Sequence, residues 1–156
     1  MDEEQLRRLR EESGLRLDGR GLFWHRGELV EHERTLRALR GGMHRAVDGR
    51  WATRLGTDWA YVDVEDAAFF VRAIEPRGGV LRAEILDGEP LAIDPSTLAV
   101  GAGDALYARL PGGERALFTR AAQLQLAPLL REEGRAIEIA GRLHPLGADG
   151  GPEPIR

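Results

Sequence analysis

The sequence predicts an α+β fold made of two related halves of antiparallel strands, each half carrying one helix. Two observations support this prediction. Short apolar runs are separated by short turns rich in Gly, which is typical of β-hairpins. A unit of hairpin, helix, glycine and strand also occurs twice, at residues 15–55 and 105–146. Because hairpin turns rather than helical crossovers connect the strands, we expect mainly antiparallel sheets and an internal duplication.

Four segments are expected along the chain: a helical segment at 1–14, an N-terminal half at 15–98, a C-terminal half at 99–147 and a tail at 148–156. In the first segment, Asp2 is placed to cap a short surface helix, and Gly14 stands where a terminating glycine belongs. The stretch 94–103, rich in Pro, Gly and Ala, predicts the boundary between the halves.

The N-terminal half contains two predicted hairpin turns, Asp18–Gly21 and Asp48-Gly49. Between them, Leu29, Leu36 and Leu39 have the spacing of one buried helical stripe, which predicts a helix over about 29–40. Further apolar runs predict strands at 59–64, 67–74 and 80–86. The run at 67–74 is nearly continuous, so we expect a central strand there.

The C-terminal half begins with a hairpin around Pro111–Gly113. A helix is predicted over about 119–132, bent at Pro128 and ended by Gly134. Two short strands, at 135–140 and 142–146, close the predicted fold.

The composition restricts the class of protein. Of the 156 residues, 42% are hydrophobic and 31% are charged, which is the balance of a globular chain. The chain has neither cysteine nor lysine, so disulfides, thiolate metal sites, cysteine nucleophiles and Schiff bases are excluded. No apolar run approaches the roughly 20 residues of a membrane span, and the charged first segment is unlike a secretory signal. We therefore expect a cytoplasmic protein without a membrane span.

The charge pattern argues against a nucleic acid polymer as the partner. The net charge is −4, and no basic block occurs, whereas a nonspecific nucleic-acid binder concentrates positive charge on one face. All 22 basic residues are arginine, whose planar fork suits phosphate and carboxylate groups. The simpler explanation for this excess is a GC-rich genome whose codons favour Arg.

One long stretch, GRWATRLGTDWAYVDVEDAAF at Gly49–Phe69, resembles the central motif of a bacterial family catalogued as domain of unknown function 1285. It departs from the family pattern at Ala68, where proline is usual, and at Leu55-Gly56, where Thr-Pro is usual. The Asp-Gly turn before Phe23-Trp24-His25 also resembles the family. So do the following segments: Tyr107-Ala108-Arg109, Leu117-Phe118-Thr119-Arg120 and Pro145-Leu146-Gly147.

This resemblance covers roughly residues 15–147. It implies a duplicated core whose C-terminal half is similar to a pleckstrin-homology fold. It also implies a nucleotide-like ligand between the halves and a role in signal transduction, with no established catalytic activity.

The predicted ligand site combines arginines with aromatic rings. An arginine on a strand beside a second at a helix start holds a phosphate, and an aromatic face stacks on a planar group. The predicted ligand-binding residues are Arg109, Arg120, Trp24, Tyr107, His25 and Asp66. The alternative is that both arginines form structural ion pairs with Glu65 and Asp66.

No catalytic residue, metal site or cofactor is predicted. The sequence lacks GxSxG, HExxH and Gly-rich nucleotide fingerprints, and its four histidines are not spaced as zinc ligands. Two other functions stay open. One is a protein-interaction module without a small ligand. The other is a metal- or carboxylate-dependent hydrolase using Asp63, Glu65 and Asp66, with the first two on one strand face.

Overall fold

The structure is a computed structural model that describes residues 2–152. It has three α-helices and 16 strands over that range, which confirms the α+β class. The chain divides into two compact units, the first formed by the chain up to Ala68 and the second by Phe69–Gly151. None of the helices in the described range has the length and apolar character that a membrane span requires.

The first unit contains one mixed sheet and two helices. Its elements are α1 (Glu3–Glu11), β1 (Leu15–Leu17), β2 (Phe23–His25), β3 (Glu28–Leu29), α2 (Glu33–Gly41), β4 (Met43–Arg45), β5 (Trp51–Leu55) and β6 (Asp58–Val64). The strand order is β3-β2-β1-β6-β5-β4. All neighbours are antiparallel except β1 and β6, which are parallel.

The two faces of this sheet have different roles. Paired residues share a face, and faces alternate along each strand. One face therefore carries the buried Leu17, Phe23 and Val62, and α2 covers it with Leu39. The buried Thr53 hydroxyl on that face donates to the Leu39 carbonyl oxygen at 2.7 Å. The opposite face carries the larger aromatic side chains of β2 and β6, and α1 contacts β6.

Two local predictions are confirmed in the first unit and one is wrong. Asp2 accepts the Gln5 amide at 2.8 Å, which makes it the predicted cap of α1. The turn at Asp18–Gly21 joins β1 to β2 as expected. The helix predicted from residue 29, however, begins at Glu33, because Arg26 and Gly27 adopt positive φ and turn the chain back to form β3 against β2.

The second unit contains a seven-stranded and a three-stranded sheet. Its elements are β7 (Phe69–Arg77), β8 (Val80–Ile85), β9 (Leu91–Ile93), β10 (Ala99–Val100), β11 (Leu106–Arg109), β12 (Arg115–Phe118), α3 (Arg120–Leu126), β13 (Leu130–Arg131), β14 (Ala136–Ile139), β15 (Arg142–Pro145) and β16 (Gly147–Ala148). The larger sheet has the order β16-β10-β11-β12-β7-β8-β9, and the smaller one is β13-β14-β15.

The core of the second unit lies on one face of the seven-stranded sheet. Val71, Ala108 and Phe118 from that sheet form one buried cluster with Leu126 of α3 and Ile137 of β14. Apolar burial of this kind is the main favourable contribution to the folding of such a unit. The strand β7, predicted as central, is flanked by β12 and β8.

The boundary between the units differs from the one predicted near 94–103. The strands β7, β8 and β9 lie in the same sheet as β10, β11 and β12, because β7 pairs in parallel with β12. The second unit therefore begins at Phe69, about 30 residues before the predicted start of the C-terminal half at residue 99. Parallel pairing joins segments distant in sequence, which hairpin turns do not reveal.

Two further predictions in the second unit need correction. The helix expected over 119–132 ends at Leu126, and a 3-10 turn follows over Ala127–Leu129. Pro128 explains this end, since its ring removes an amide donor and obstructs a longer helix. The tail predicted from residue 148 is ordered at its start, since Ala148 belongs to β16; the rest of that tail from residue 153 lies outside the described residues.

The repeated unit expected from the sequence is visible in the element order. In the first unit, the hairpin β1–β2 is followed by α2 and the antiparallel meander β4–β5–β6. In the second, the hairpin β11–β12 is followed by α3 and the meander β13–β14–β15. The two meanders are attached differently, because β6 joins its hairpin in one sheet whereas β13–β15 form a separate sheet.

Candidate functional site

The six predicted ligand residues divide evenly between the two units. Trp24, His25 and Asp66 belong to the first unit. Tyr107, Arg109 and Arg120 belong to the second unit.

Trp24 has a structural partner in the turn that precedes it. Its indole Nε1–H donates to Asp18 Oδ2 at 2.9 Å, while Asp18 Oδ1 accepts the amides of Arg20 and Leu22, each at 2.9 Å. Burial raises the pKa of Asp18, but the hydrogen bonds from the Trp24 indole and the two amides outweigh it, so the pKa lies below its ordinary value. Trp24 therefore fastens the turn between β1 and β2 through a buried carboxylate.

His25 and Asp66 occupy different surroundings. His25 is exposed at the end of β2, with Leu15 and Glu28 opposite it in the neighbouring strands. Asp66 is partly buried in the bend between β6 and β7.

Tyr107 belongs to a buried ion-pair arrangement in the second unit. The Arg115 guanidinium lies 4.3 Å from the centre of the Tyr107 ring. Arg115 Nε donates to Asp149 Oδ1 at 3.0 Å, and Arg115 Nη2 donates to Asp149 Oδ2 at 2.7 Å. Only 6% of the Arg115 side chain and 7% of the Asp149 side chain are exposed. This is the two-pronged contact in which a guanidinium fork recognises carboxylate or phosphate.

The backbone around Tyr107 is shaped to admit its ring. A Cβ atom at Gly101 would come within 2.7 Å of the Tyr107 ring and 3.5 Å of Asp149 Cβ. Glycine at this position therefore allows the ring and the carboxylate to lie against the backbone. The Asp149 amide donates to the Val100 carbonyl oxygen at 2.9 Å, which holds the acidic residue beside β10.

Arg109 lies beside Arg115 on the same face of the sheet. The two residues are register partners across β11 and β12, and Tyr107 shares their face because it is two residues from Arg109. Arg109 Nη1 donates to the Gly113 carbonyl oxygen at 3.1 Å. The hydrogen bonds from Arg115 are the main reason that the pKa of Asp149 lies below its ordinary value, and the charge of Arg109 acts in the same direction.

Arg120 does not lie beside Arg109, although the sequence predicted that the two would hold one ligand together. It is exposed at the start of α3, which follows the far end of β12, whereas Arg109 is opposite the first residue of β12. The length of β12 separates these positions by about 10 Å, since a strand rises about 3.3 Å per residue. In addition, α3 packs on the core face with Phe118, and Arg109 belongs to the other face. The arginine that the fold sets beside Arg109 is Arg115.

We call Tyr107, Arg109, Arg115 and Asp149 the Arg115 site. Tyr107 and Arg109 are among the ligand residues predicted from the sequence, whereas Arg115 and Asp149 are not. Arg115 could have been found by pairing strand residues across the Pro111–Gly113 turn, which puts it opposite Arg109. Asp149 had no local signal, because it lies 34 residues from its partner in a stretch with the composition of a tail.

The acidic residues proposed for hydrolysis do not form a metal site. Glu65 lies beyond the end of β6, so it does not continue the strand face of Asp63 as predicted. Its Oε2 accepts the Gly19 amide at 2.7 Å and lies 3.8 Å from Arg16. Across residues 2–152, no group of three or more His, Asp or Glu side chains is arranged to hold a metal ion.

An open depression of about 340 Å³ lies on the outer side of α1. Gln5, Arg8, Leu9 and Glu12 line it, and none of the predicted ligand residues does.

Comparison with known proteins shows the fold. The chain is similar to the crystal structure of a DUF1285 family protein from Silicibacter pomeroyi DSS-3, with a TM-score of 0.68 and 19% identity over 88% of this chain and 81% of that chain. It is also similar to the structure of a DUF1285 family protein from Shewanella baltica OS155, with a TM-score of 0.58 and 16% identity over 74% of this chain and 91% of that chain. No family model matches the sequence, and no curated protein matches it. The resemblance predicted from the sequence motifs is thus confirmed by the fold shared with two DUF1285 family structures.

Proposed function

We propose that this chain, which has the fold of DUF1285 family structures, is a non-catalytic module that binds a small anionic ligand at the Arg115 site. The observation that carries the proposal is the forked contact between Arg115 and the Asp149 carboxylate over the Tyr107 ring. The site already holds an anionic group, and that group is supplied by the chain itself. Asp149 occupies the position that a phosphate or carboxylate of the ligand would take.

The energetics of a buried ion pair favour this interpretation over a purely stabilising role. Transfer of an arginine and an aspartate from water into the protein interior carries a large desolvation penalty. A buried ion pair therefore often adds no net stability compared with a well-packed apolar pair. A guanidinium in such a place has a clear use when an anion must be recognised in a dry pocket, where its hydrogen bonds are stronger than in water.

Asp149 directly follows a short edge strand, which makes exchange of its carboxylate for a ligand feasible. The strand β16 has only two residues and lies at the edge of its sheet, paired in parallel with β10. Gly150 and Gly151 follow Asp149, and beyond the ion pair the carboxylate accepts one further hydrogen bond, from the Gly151 amide to Asp149 Oδ2 at 2.9 Å. Opening such an edge disrupts few hydrogen bonds, so it belongs to the least stable part of the sheet.

A nucleotide-like ligand fits the chemistry of the Arg115 site. Arg115 and Arg109 would hold the phosphate, and Tyr107 would keep the Arg115 fork in place through its ring. The role in signal transduction and the likeness to a pleckstrin-homology fold remain predictions from the family resemblance.

The proposal is tested by a thermal-shift screen of the full chain and of Asp149→Ala with inorganic phosphate, nucleoside mono- and diphosphates and cyclic nucleotides. Removal of the internal carboxylate should strengthen binding at least about tenfold, because the ligand no longer competes with Asp149. The rise in melting temperature that the ligand causes should become smaller as salt is added. Arg115→Lys should remove it, because lysine lacks the fork.

Arg120→Ala is the matched control, since it removes an arginine from the same unit at an exposed position away from the Arg115 site. It should bind like the wild type. Equal shifts in wild type and Asp149→Ala for every compound, or a loss of binding in Arg120→Ala but not in Arg115→Lys, would refute this assignment.

A protein-interaction module is the second candidate. It draws support from a separate surface in the first unit, where Trp59 and Tyr61 lie beneath a helix that buries none of its residues.

A further inference from the structure

The helix α1 buries little of its own surface against its unit. None of its residues is buried, and Leu9 is 58% exposed. Its only partly buried side chains are Leu6 and Arg10. A helix of nine residues is too short to be stable alone, even with the capping box formed by Asp2 and Gln5. Its order therefore depends on the contacts it makes with the sheet.

Arg10 makes the central contact. Its guanidinium lies 4.2 Å from the centre of the Trp59 ring, and its Nη2 donates to Asp58 Oδ1 at 3.0 Å. Its Nε is buried and has no hydrogen-bond partner within the part of the chain that the structure describes. A buried donor without a partner is costly, so the contact of Arg10 is less favourable than its close geometry suggests.

Two more polar contacts hold the end of the helix. Glu11 Oε1 accepts from Arg50 Nη2 at 3.2 Å, and the Ser13 hydroxyl donates to the Tyr61 carbonyl oxygen at 2.6 Å. The Glu11 and Arg50 side chains are 39% and 35% exposed, and such half-exposed pairs add little stability and are screened by salt.

The residues beneath α1 also contact one another. The Trp59 and Tyr61 rings meet edge to face, with centres 4.9 Å apart. The Arg50 guanidinium lies 3.6 Å from the centre of the Tyr61 ring. Asp48 Oδ2 accepts from the Tyr61 hydroxyl at 2.7 Å and from Arg50 Nε at 2.8 Å. We call Asp48, Arg50, Asp58, Trp59 and Tyr61 the aromatic surface.

We propose that α1 is a releasable cover and that its displacement opens the aromatic surface to a helix of a partner protein. Aromatic rings paired with arginine are the side chains that dominate protein interfaces. A preformed surface of this kind beneath a weakly held segment is the arrangement expected of an intramolecular competitor for a partner.

The chemistry of the partner follows from how α1 fits. Asp58 and the Trp59 ring together receive an arginine, and Arg50 receives the next carboxylate along the helix. The partner helix should therefore carry an Arg-Glu pair with a leucine one turn before it, as Leu6, Arg10 and Glu11 do here. Charge complementarity then determines its orientation on the surface.

The release of α1 is tested by hydrogen exchange of the full chain. Amides of residues 3–11 should exchange through a local opening, well before the amides of β5 and β6, and about tenfold faster in about 0.5 M salt. Arg10→Ala should accelerate this exchange further. Arg8→Ala is the matched control, because Arg8 is an exposed arginine of the same helix on its outer side, and it should leave the exchange unchanged.

The occupant is tested by a labelled peptide with the sequence of residues 2–13, added to the full chain in trans. It should bind the Arg10→Ala chain at least about tenfold more tightly than the wild type, whose own helix competes at an effective concentration of about 1 mM. The same peptide with alanine in place of Arg10 should not bind. If residues 3–11 exchange only with global unfolding, or if the peptide binds neither chain, the proposal is overturned.

Discussion

Arg115 and Asp149 are 34 residues apart in the chain and form a forked ion pair at 2.7 and 3.0 Å with less than a tenth of either side chain exposed. The pair fastens the last described strand to the hairpin that carries Tyr107 and Arg109. It also sets an internal carboxylate on a guanidinium that is suited to an external anion.

Replacement of Asp149 by Asn should lower the free energy of unfolding by about 3 kcal/mol, because it removes the charge that compensates a buried guanidinium. Urea unfolding measures the change. The control is Asp63→Asn, at an exposed position on β6, which should change the free energy of unfolding by no more than about 0.5 kcal/mol. A loss as small as that of the control would show that the pair does not hold the strand.

The contribution of Asp149 to stability should depend on pH. Its pKa in the folded chain lies below the ordinary value of 3.8, so the folded state favours the ionised form. The stabilisation is fully present above that ordinary pKa and is lost as the pH falls through the folded pKa. The difference in unfolding free energy between wild type and Asp149→Asn should thus be constant at neutral pH and shrink in acid. A difference that grows in acid would contradict the lowered pKa of Asp149.

The Asp48 carboxylate should titrate at about pH 2, with the hydrogen bond from the Tyr61 hydroxyl as the main cause and those from Arg50 next. Tyr61→Phe removes the first cause, so it should raise the pKa of Asp48 toward 3.8. NMR titration of the carboxyl groups measures this. Asp58 is the internal control, because its lowered pKa depends on the Trp59 amide and Arg10 rather than on Tyr61, and it should not move.

Trp24→Phe should lower the free energy of unfolding by about 1–2 kcal/mol, since it takes one hydrogen bond from the buried Asp18 carboxylate. A double-mutant cycle with Asp18→Asn isolates the coupling between the two side chains. If the two changes add without coupling, the indole N–H does not support the turn, and Trp24 is available for the stacking role predicted from the sequence.

Local features of this fold could be predicted from the sequence, and non-local ones could not. The Asp2 cap and the hairpin turns at Asp18–Gly21 and Asp48-Gly49 depend on residues close in sequence. The turn at Arg26-Gly27 was missed, because arginine at positive φ is uncommon and gave no warning of β3.

The parallel strand pairs determine the architecture, and they could not be predicted from turns and local patterns. Pairing of β1 with β6 and of β7 with β12 joins segments with no turn between them. Tyr107 and Arg109 lie in a hairpin that the sequence predicts, so they could be named as site residues. Asp149 follows β16, which reaches the site by parallel pairing with β10, so it could not. The resemblance to the DUF1285 family, whose motifs extend over nearly the whole globular part of the chain, is confirmed by two similar solved structures.

The decisive measurement is whether an external anion can replace the Asp149 carboxylate. Asp149→Ala is titrated with inorganic phosphate and, at equal ionic strength, with sodium chloride, while the melting temperature and the binding heat are followed. Phosphate should restore stability to Asp149→Ala in a saturable way and should bind the wild type more weakly. The added change Arg115→Lys should remove both effects. If phosphate acts no differently from chloride on Asp149→Ala, or if the wild type binds no phosphate compound, the Arg115 site is a structural ion pair and the proposed function is wrong.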